Sequence, residues 1–408
     1  MALEFDIIVA GGGLNGSALA LALAQSEFSV ALIDPLEDQL VVDDEFDGRS
    51  YALAVASQRL LGAIGIWEQV AENAQPILEV VVSDGRAGEG ASPLILELDH
   101  AEIEEGPMGF MIEDRYLRQA LHRSIADNPL IRSMRGVRVQ SQSVANDGVT
   151  VCLSSGKSVT ASLLIGCDGR NTQIGEGANI KREGWSYGQT ALVCAISHER
   201  PHNGTAHQFF MPHGPLAILP LPGNRSSIVW SETTSEAERI HALSDADYIE
   251  ALKPRFGDFL GKIALCGQRA TYPLGLSLAQ STVAERLVLV GDAAHVVHPI
   301  TGQGLNSGLK DIAALAEVLT MAMRRGEDIG RMDVLERYRK WRSFDVSATA
   351  LATDTFNRVF SNDNPTIRLG RDLGLGLVNA LPGLRRSLMR EAAGLTGDLP
   401  KLLQGRPI

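Results

Sequence analysis

The chain has 408 residues, with 37 Lys and Arg against 49 Asp and Glu and a net charge of −12. Its 45% hydrophobic and 21% charged residues are those of a globular protein of two to three domains, which excludes disorder and collagen-like structure, and the acidic balance excludes a broad nucleic-acid face. Cys152, Cys167, Cys194 and Cys266 are too few and too widely spaced for a disulfide framework or a zinc site. Together with Glu4 and Asp6 in place of a basic leader, they point to a cytoplasmic protein with reduced thiols and no bound metal.

Residues 5–10 predict a buried strand, 17–25 an Ala- and Leu-rich helix, and 29–34 a second strand. Residues 7–24 carry no charge over 18 positions, a run that a crude hydropathy threshold takes for a membrane span. Gly11, Gly12, Gly13, Asn15 and Gly16 divide that run into strand, turn and helix, so a βαβ unit is expected instead. Residues 39–49 read as a polar loop and 57–70 as a helix broken near Gly65. Leu117, Leu121 and Ile125 give 115–125 a helical period, and 136–153 alternate like a hairpin turning at Asn146-Asp147-Gly148. A short buried strand is expected at 162–167. From 187 to 271, short alternating runs separated by Pro and Gly predict a mostly antiparallel sheet inserted into the first domain. Residues 286–290 restore the buried-strand signature, and 308–324 read as a helix. Beyond 346, helical stretches alternate with Pro365, Pro382 and Pro400.

The glycine turn Gly11-Gly12-Gly13-Leu14-Asn15-Gly16 lies between a strand and a helix. In G-x-G-x-x-G the first glycine permits the turn, the second lets backbone approach a pyrophosphate, and the third allows close helix–strand packing. The helix start offers open N–H groups and a partial positive charge. Asp34 ends the second strand, 18 residues after Gly16, where an acid can bind ribose hydroxyls. This context fits NAD and FAD equally. Farther on, a strand runs into Gly291-Asp292-Ala293-Ala294-His295, followed by His298-Pro299-Ile300-Thr301-Gly302-Gln303-Gly304-Leu305-Asn306 and a helix. A carboxylate at a strand's carboxyl end and a glycine-rich helix start suit a ring that becomes anionic on reduction, as a flavin does. A third strand ends in Cys167-Asp168-Gly169-Arg170.

The three motifs together resemble the class A FAD-dependent aromatic-ring monooxygenases, and more narrowly the ubiquinone-biosynthesis hydroxylases. Gly291–His295 and the run from His298 to Gly308 match that family's long signature. Asp47, Arg49, Ala52 and Leu53 match its early element, and Asn362-Asp363, Arg371-Asp372 and Leu399-Pro400-Lys401-Leu402-Leu403 match its ending. Thr301 departs from it, standing where the family often has Ala. The resemblance implies an α/β fold: a Rossmann-like FAD-binding domain (1–75, 100–180 and 272–345), an inserted antiparallel substrate domain (76–99 and 181–271) and a C-terminal helical region (346–408).

It implies non-covalent FAD held by Gly11, Gly13, Leu14, Asn15, Gly16 and Asp34, by Arg49, Arg115, Asp168 and Gly169, and by Gly291, Asp292, Pro299, Gly302, Gly304, Leu305 and Asn306. His298, Pro299, Gly302 and Gln303 are the candidate catalytic residues. The implied reaction inserts one atom of O2 into the ring of a prenylated phenol, with NAD(P)H or an external electron carrier as reductant. Tyr187, His207, Phe209, Phe210, His213, Trp230 and Tyr272 are the candidate pocket residues. A rival reading, a hydroxylase of a small soluble aromatic acid, would use Arg225 or Arg269 for the carboxylate. Another is a flavin-bearing structural subunit of a quinone-biosynthesis complex. A flavin halogenase is set aside, because Trp67, Trp185, Trp230 and Trp341 form no W-x-W. Residues 366–389 mix Leu and Val with Arg368, Arg371, Arg385, Arg386 and the following Arg390, the pattern of a basic amphipathic helix that either packs on its own protein with a solvated face or makes peripheral contact with the inner membrane or a partner.

Overall fold

The computed structural model describes residues 3–37, 46–86, 88, 90–298, 302–361, 374 and 376–408. The strands Phe5–Ala10 and Val30–Asp34 flank the helix Leu14–Ala24 and pair in parallel, Ile8 opposite Ala31. On its other side Phe5–Ala10 pairs in parallel with Ser158–Gly166, Ile8 opposite Leu164. Central parallel strands are covered on both faces, so they read as unbroken apolar runs, and Ile7, Ile8 and Val9 are fully buried here. Leu287–Leu289 and Ile131–Arg135 extend this eight-stranded sheet. The expected hairpin is present as Val139–Ala145 and Gly148–Leu153. The helix after the glycine turn starts at Leu14, three residues ahead of the expected position.

A second eight-stranded sheet is built around two 17-residue strands, Arg182–His198 and Ile263–Ala279, which pair antiparallel. Their glycines and bulges hid this length from a reading based on alternation. Glu79–Arg86 and Gly90–Asp99 form its far edge. The helices Thr234–His241 and Asp245–Phe256 cover one face, burying Trp230, Tyr248 and Phe256 together. A small third sheet, not expected from the sequence, joins Ser50–Ala54, Gly109–Glu113 and Gln75–Ile77. It brings Ile77, Met111 and Ala52 against Ala195, Leu221 and Cys266 of the large antiparallel sheet.

The helix Gln303–Arg324 begins five residues before the expected start, and Met332–Phe360 is a single helix of 29 residues that runs through position 346. The strand Ile263–Ala279 likewise runs through position 271. The helix Pro382–Ala392 and the turn Lys401–Gln404 complete the described chain. Leu402 and Leu403 return to the main core against the helices Val55–Ala63 and Gln303–Arg324, and the Lys401 N–H donates to Glu317 at 2.7 Å. Among the described residues, no helix is long and apolar enough to cross a membrane.

Candidate active site

The glycine turn is shaped by contacts that only glycine permits. Gly11 has φ +105°, and a Cβ there would collide with the Cys167 carbonyl. A Cβ on Gly16 would collide with the Gly11 carbonyl. Gly13 is different, because a Cβ there would meet nothing within 4 Å. Gly13 caps the helix Leu14–Ala24, whose first turn has no side-chain cap and no acidic residue, so its N–H groups are open to an anion. Leu14 is half-buried at this helix start and packs against the main core. The Asp34 carboxylate accepts the N–H groups of Gly12 at 2.5 Å and Leu36 at 2.8 Å, with Arg135 at 3.5 Å, so this acid also fixes the turn.

The other two motifs close on this turn. Asp168 follows directly on Cys167; one of its oxygens accepts the N–H groups of Gln173 at 2.7 Å and Ile174 at 3.2 Å, while the other is buried without a partner among the described residues. Gly169, at φ +82°, has open space before it. The Asn15 amide occupies the space where Gly291 and Gly308 would carry a Cβ, and its Oδ1 is also buried without a partner. Arg182 reaches from the antiparallel sheet, donating to the Asp292 carbonyl at 3.2 Å and to the Ala293 carbonyl. Burial lowers the Arg182 pKa, and the nearby Asp292 and Asp168 carboxylates oppose that shift.

Gly302, at φ +62°, caps the helix Gln303–Arg324, again with no side-chain cap and no acid in the first turn. Gly304 has open space before it, and Leu305 packs against the core. Asn306 faces inward: its Nδ2 donates to the carbonyls of Ala52 at 2.8 Å and Gly302 at 2.9 Å, and its Oδ1 accepts the Ala54 N–H at 2.9 Å. His298 is fully buried against Tyr187, with ring centroids 5.2 Å apart, and neither ring nitrogen has a partner among the described residues. Burial lowers its pKa to about 4, so the imidazole is neutral near pH 7. Pro299, Thr301, Asn362-Asp363 and Arg371-Asp372 lie outside the described residues, as does the side chain of Gln303.

Arg49 contacts Asp47 at 2.6 Å and Asp114 at 3.3 Å. Arg115 contacts the fully buried Glu113 at 2.8 Å, and Arg225 of the antiparallel sheet meets the same carboxylate at 2.8 Å, with Phe46 under both guanidinium groups. The candidate pocket aromatics do not converge on one place. Trp230 lies under the covering helices, Phe210 packs against Phe360 with tilted rings, His207 and Phe209 cluster with Phe259, and Tyr272 and His213 are exposed. Arg269 is engaged by Asp245 at 3.3 Å. The sequence reading missed Arg182, Glu113 and Asp311. Of these only Asp311 left a signal, as an acid seven residues after Gly304 and directly before the apolar run Ile312 to Ala316.

These features fit FAD: open space and open N–H groups at Gly13 for a pyrophosphate, two buried unpartnered oxygens, and a second uncapped helix start at Gly302. Together with the parallel sheet and the long antiparallel sheet, they define a flavoprotein of the single-chain monooxygenase class. The fold is shared with p-nitrophenol 4-monooxygenase PnpA of Pseudomonas putida, at a TM-score of 0.78 and 18% identity over 97% of this chain and 99% of that one. The profile of the FAD binding domain family matches residues 4–350, and the chain belongs to this family and, within it, to the ubiquinone-biosynthesis hydroxylases among the FAD-dependent monooxygenases. It is 42% identical to ubiquinone hydroxylase UbiL of Rhodospirillum rubrum over 99% of this chain and 93% of that protein. It is also 32% identical to the 3-demethoxyubiquinol 3-hydroxylase of Escherichia coli over 96% of this chain and 98% of that protein.

Proposed function

We propose that this monooxygenase hydroxylates the aromatic ring of a prenylated phenol on the way to ubiquinone. The observation that carries this reading is the 42% identity to a ubiquinone hydroxylase over 99% of the chain. The geometry agrees with it. The strand Ser50–Ala54, tied by Asn306 to the uncapped helix start, packs on an apolar cluster of Met111, Ala195 and Leu221, with Ala52, Leu219 and Cys266 only partly buried at its edge, an apolar neighbourhood for a greasy ring and tail. The nearby Arg225 is already paired with Glu113, which disfavours a carboxylate-bearing soluble substrate.

The bound flavin supplies the redox chemistry, activating O2 once reduced. The chain's own residues bind and orient. Gly11, Gly13, Leu14, Asn15, Gly16 and Asp34 receive the ADP half. Arg49, Arg115, Asp168, Gly169, Gly291 and Asp292 receive the pyrophosphate and ribityl region. Pro299 and Gly302 through Asn306 receive the ring, with Asn306 acting through the backbone it ties. His298, buried and neutral, lines the reacting side and keeps water out. The reductant is NAD(P)H bound transiently, or an external electron carrier. A single glycine-turn βαβ unit among the described residues supports that reading. Anaerobic bleaching of the flavin by NADH, NADPH or a reduced ferredoxin identifies the donor.

The enzyme also lies against the inner-membrane surface. Leu384 and Leu388 lie one turn apart on the helix Pro382–Ala392 and are exposed beside Arg386, as are Leu381 at its N-cap and, by 60%, Leu377 just before it. Phe344, 82% exposed, and Leu351 add a second stripe on the long helix. Co-sedimentation with anionic vesicles, lost in Leu384→Glu/Leu388→Glu, tests this contact. The reaction is tested with enzyme, donor and a prenylated phenol under isotopically labelled O2, which should place one labelled atom on the ring. Label from water alone, or an equal specificity constant for a tail-less phenol, overturns the assignment. No oxygen transfer at all would indicate a structural subunit.

A further inference from the structure

Resting on the FAD reading of Gly291–Asp292, we propose that Asp311 is a positioning residue for the cofactor, holding the Asp292 segment through the backbone of Gly291 and the ring of His295. Asp311 lies on the helix Gln303–Arg324 and is 1% exposed. One of its oxygens, Oδ2, accepts the Gly291 N–H at 2.9 Å and pairs with His295 Nε2 at 2.7 Å. These two contacts close both ends of the five-residue segment that carries Asp292.

The other oxygen, Oδ1, accepts Arg342 Nε at 2.7 Å. Arg342, itself buried, reaches Asp345 at 2.5 Å, and Lys310 approaches Asp345 at 3.4 Å. The segment is therefore braced from the long helix Met332–Phe360. On another side the Asn15 amide fills the place where Gly291 and Gly308 would carry a Cβ. Gly291 stands at φ +62° with no side chain of its own, so its turn depends on such outside anchors.

Burying an ion cluster of this size is costly, and well-packed apolar residues would stabilise the same contact as well or better. What the carboxylate provides that apolar packing does not is direction: two acceptor oxygens aimed at three fixed donors. Direction matters here because Asp292 must meet hydroxyl groups at hydrogen-bond distance, and small displacements of such a carboxylate lose the bond.

The test is FAD titration of the apoprotein for Asp311→Asn, Asp292→Ala and the double variant, with urea unfolding of each apo form. Asp311→Asn should weaken FAD binding about tenfold, the worth of one charge-assisted hydrogen bond. The double variant should bind about as weakly as Asp292→Ala alone, because both losses run through one carboxylate. If Asp311→Asn does not fold, His295→Ala and His295→Gln replace it: the glutamine, which can still donate to Asp311, should restore most of the affinity that the alanine loses. A merely structural role would lower the unfolding midpoint and leave the dissociation constant unchanged, overturning the proposal. Losses that multiply in the double variant also overturn it. Unchanged FAD affinity in Asp292→Ala would remove the flavin reading of Asp292, and this proposal with it.

Discussion

Gly13 and Gly16 stand three residues apart in one motif and serve different ends. At Gly16 a Cβ would strike the Gly11 carbonyl, so the glycine is required by the protein's own packing. At Gly13 a Cβ would touch nothing within 4 Å, so the apoprotein tolerates a side chain there and only a ligand would feel it. Gly13→Ala should therefore cost the apoprotein only about 0.5–1 kcal/mol in urea unfolding, the N-cap preference for Gly over Ala, yet weaken FAD binding by roughly tenfold or more. Gly16→Ala should destabilise the apoprotein by about 1–3 kcal/mol, the usual cost of overpacking. Equal effects of the two substitutions on stability would show that the open face at Gly13 has another use. Asp292→Ala should weaken FAD binding about 10- to 100-fold through lost charge-assisted bonds, with circular dichroism unchanged.

The helix Gln303–Arg324 shows how an element can hide its beginning. Gly304, Asn306 and Gly308 are poor helix formers, so helical periodicity becomes visible only after them. The start is held instead by Gly302 in the left-handed region and by Asn306, whose amide satisfies three backbone groups of two separate segments. Asn306→Ala should lower apo stability by about 2–3 kcal/mol, since buried backbone groups lose their partners. Urea unfolding measures this, and an unchanged midpoint would show that Asn306 is no tie. The motif implied that the run Gly302 to Asn306 contacts the flavin; the Asn306 amide is bonded to backbone of the strand Ser50–Ala54 and of Gly302, a tie through which it would position that strand.

Across the molecule, burial sets how stability responds to pH. His298 and His207 are both held neutral by desolvation, with pKa values lowered to about 4. In the unfolded chain these imidazoles take up protons near pH 6.5, so the unfolded state binds more protons between pH 6.5 and 4. Stability is therefore full above that window and falls through it, by up to about 3 kcal/mol per group. Asp311 also loses its contribution on acidification, but because its charged form, not its neutral form, is favoured in the fold. Although burial alone would raise its pKa, His295 and Arg342 hold it at about 2, so its contribution persists down to about pH 4 and is lost only toward pH 2. Urea unfolding from pH 7.5 to 5 should show the decline, and His207→Phe, in a site lined by Phe209 and Phe259, should make it shallower. An unchanged slope in that variant would acquit His207.

The βαβ unit, the hairpin at residues 139–153 and the order of the three motifs were legible along the chain, because each is encoded by neighbours within a few residues: a period, a turn pair, a glycine spacing. The candidate pocket aromatics were not separable in this way. Trp230 and Phe210 have the same alternating context as a cavity residue, yet each is filled against helices that arrive from later in the chain. Partnership was equally hidden where donor and acceptor lie far apart, as for Asn306 with Ala52, Arg225 with Glu113, and Arg182 with the Asp292 carbonyl. Periodicity tells which side of an element turns inward, but not what meets it there. A polar side chain that turns inward takes whichever donor or acceptor folding brings within about 3 Å: backbone for Asp34 and Asn306, and for Asp311 the Gly291 N–H together with the side chains of His295 and Arg342.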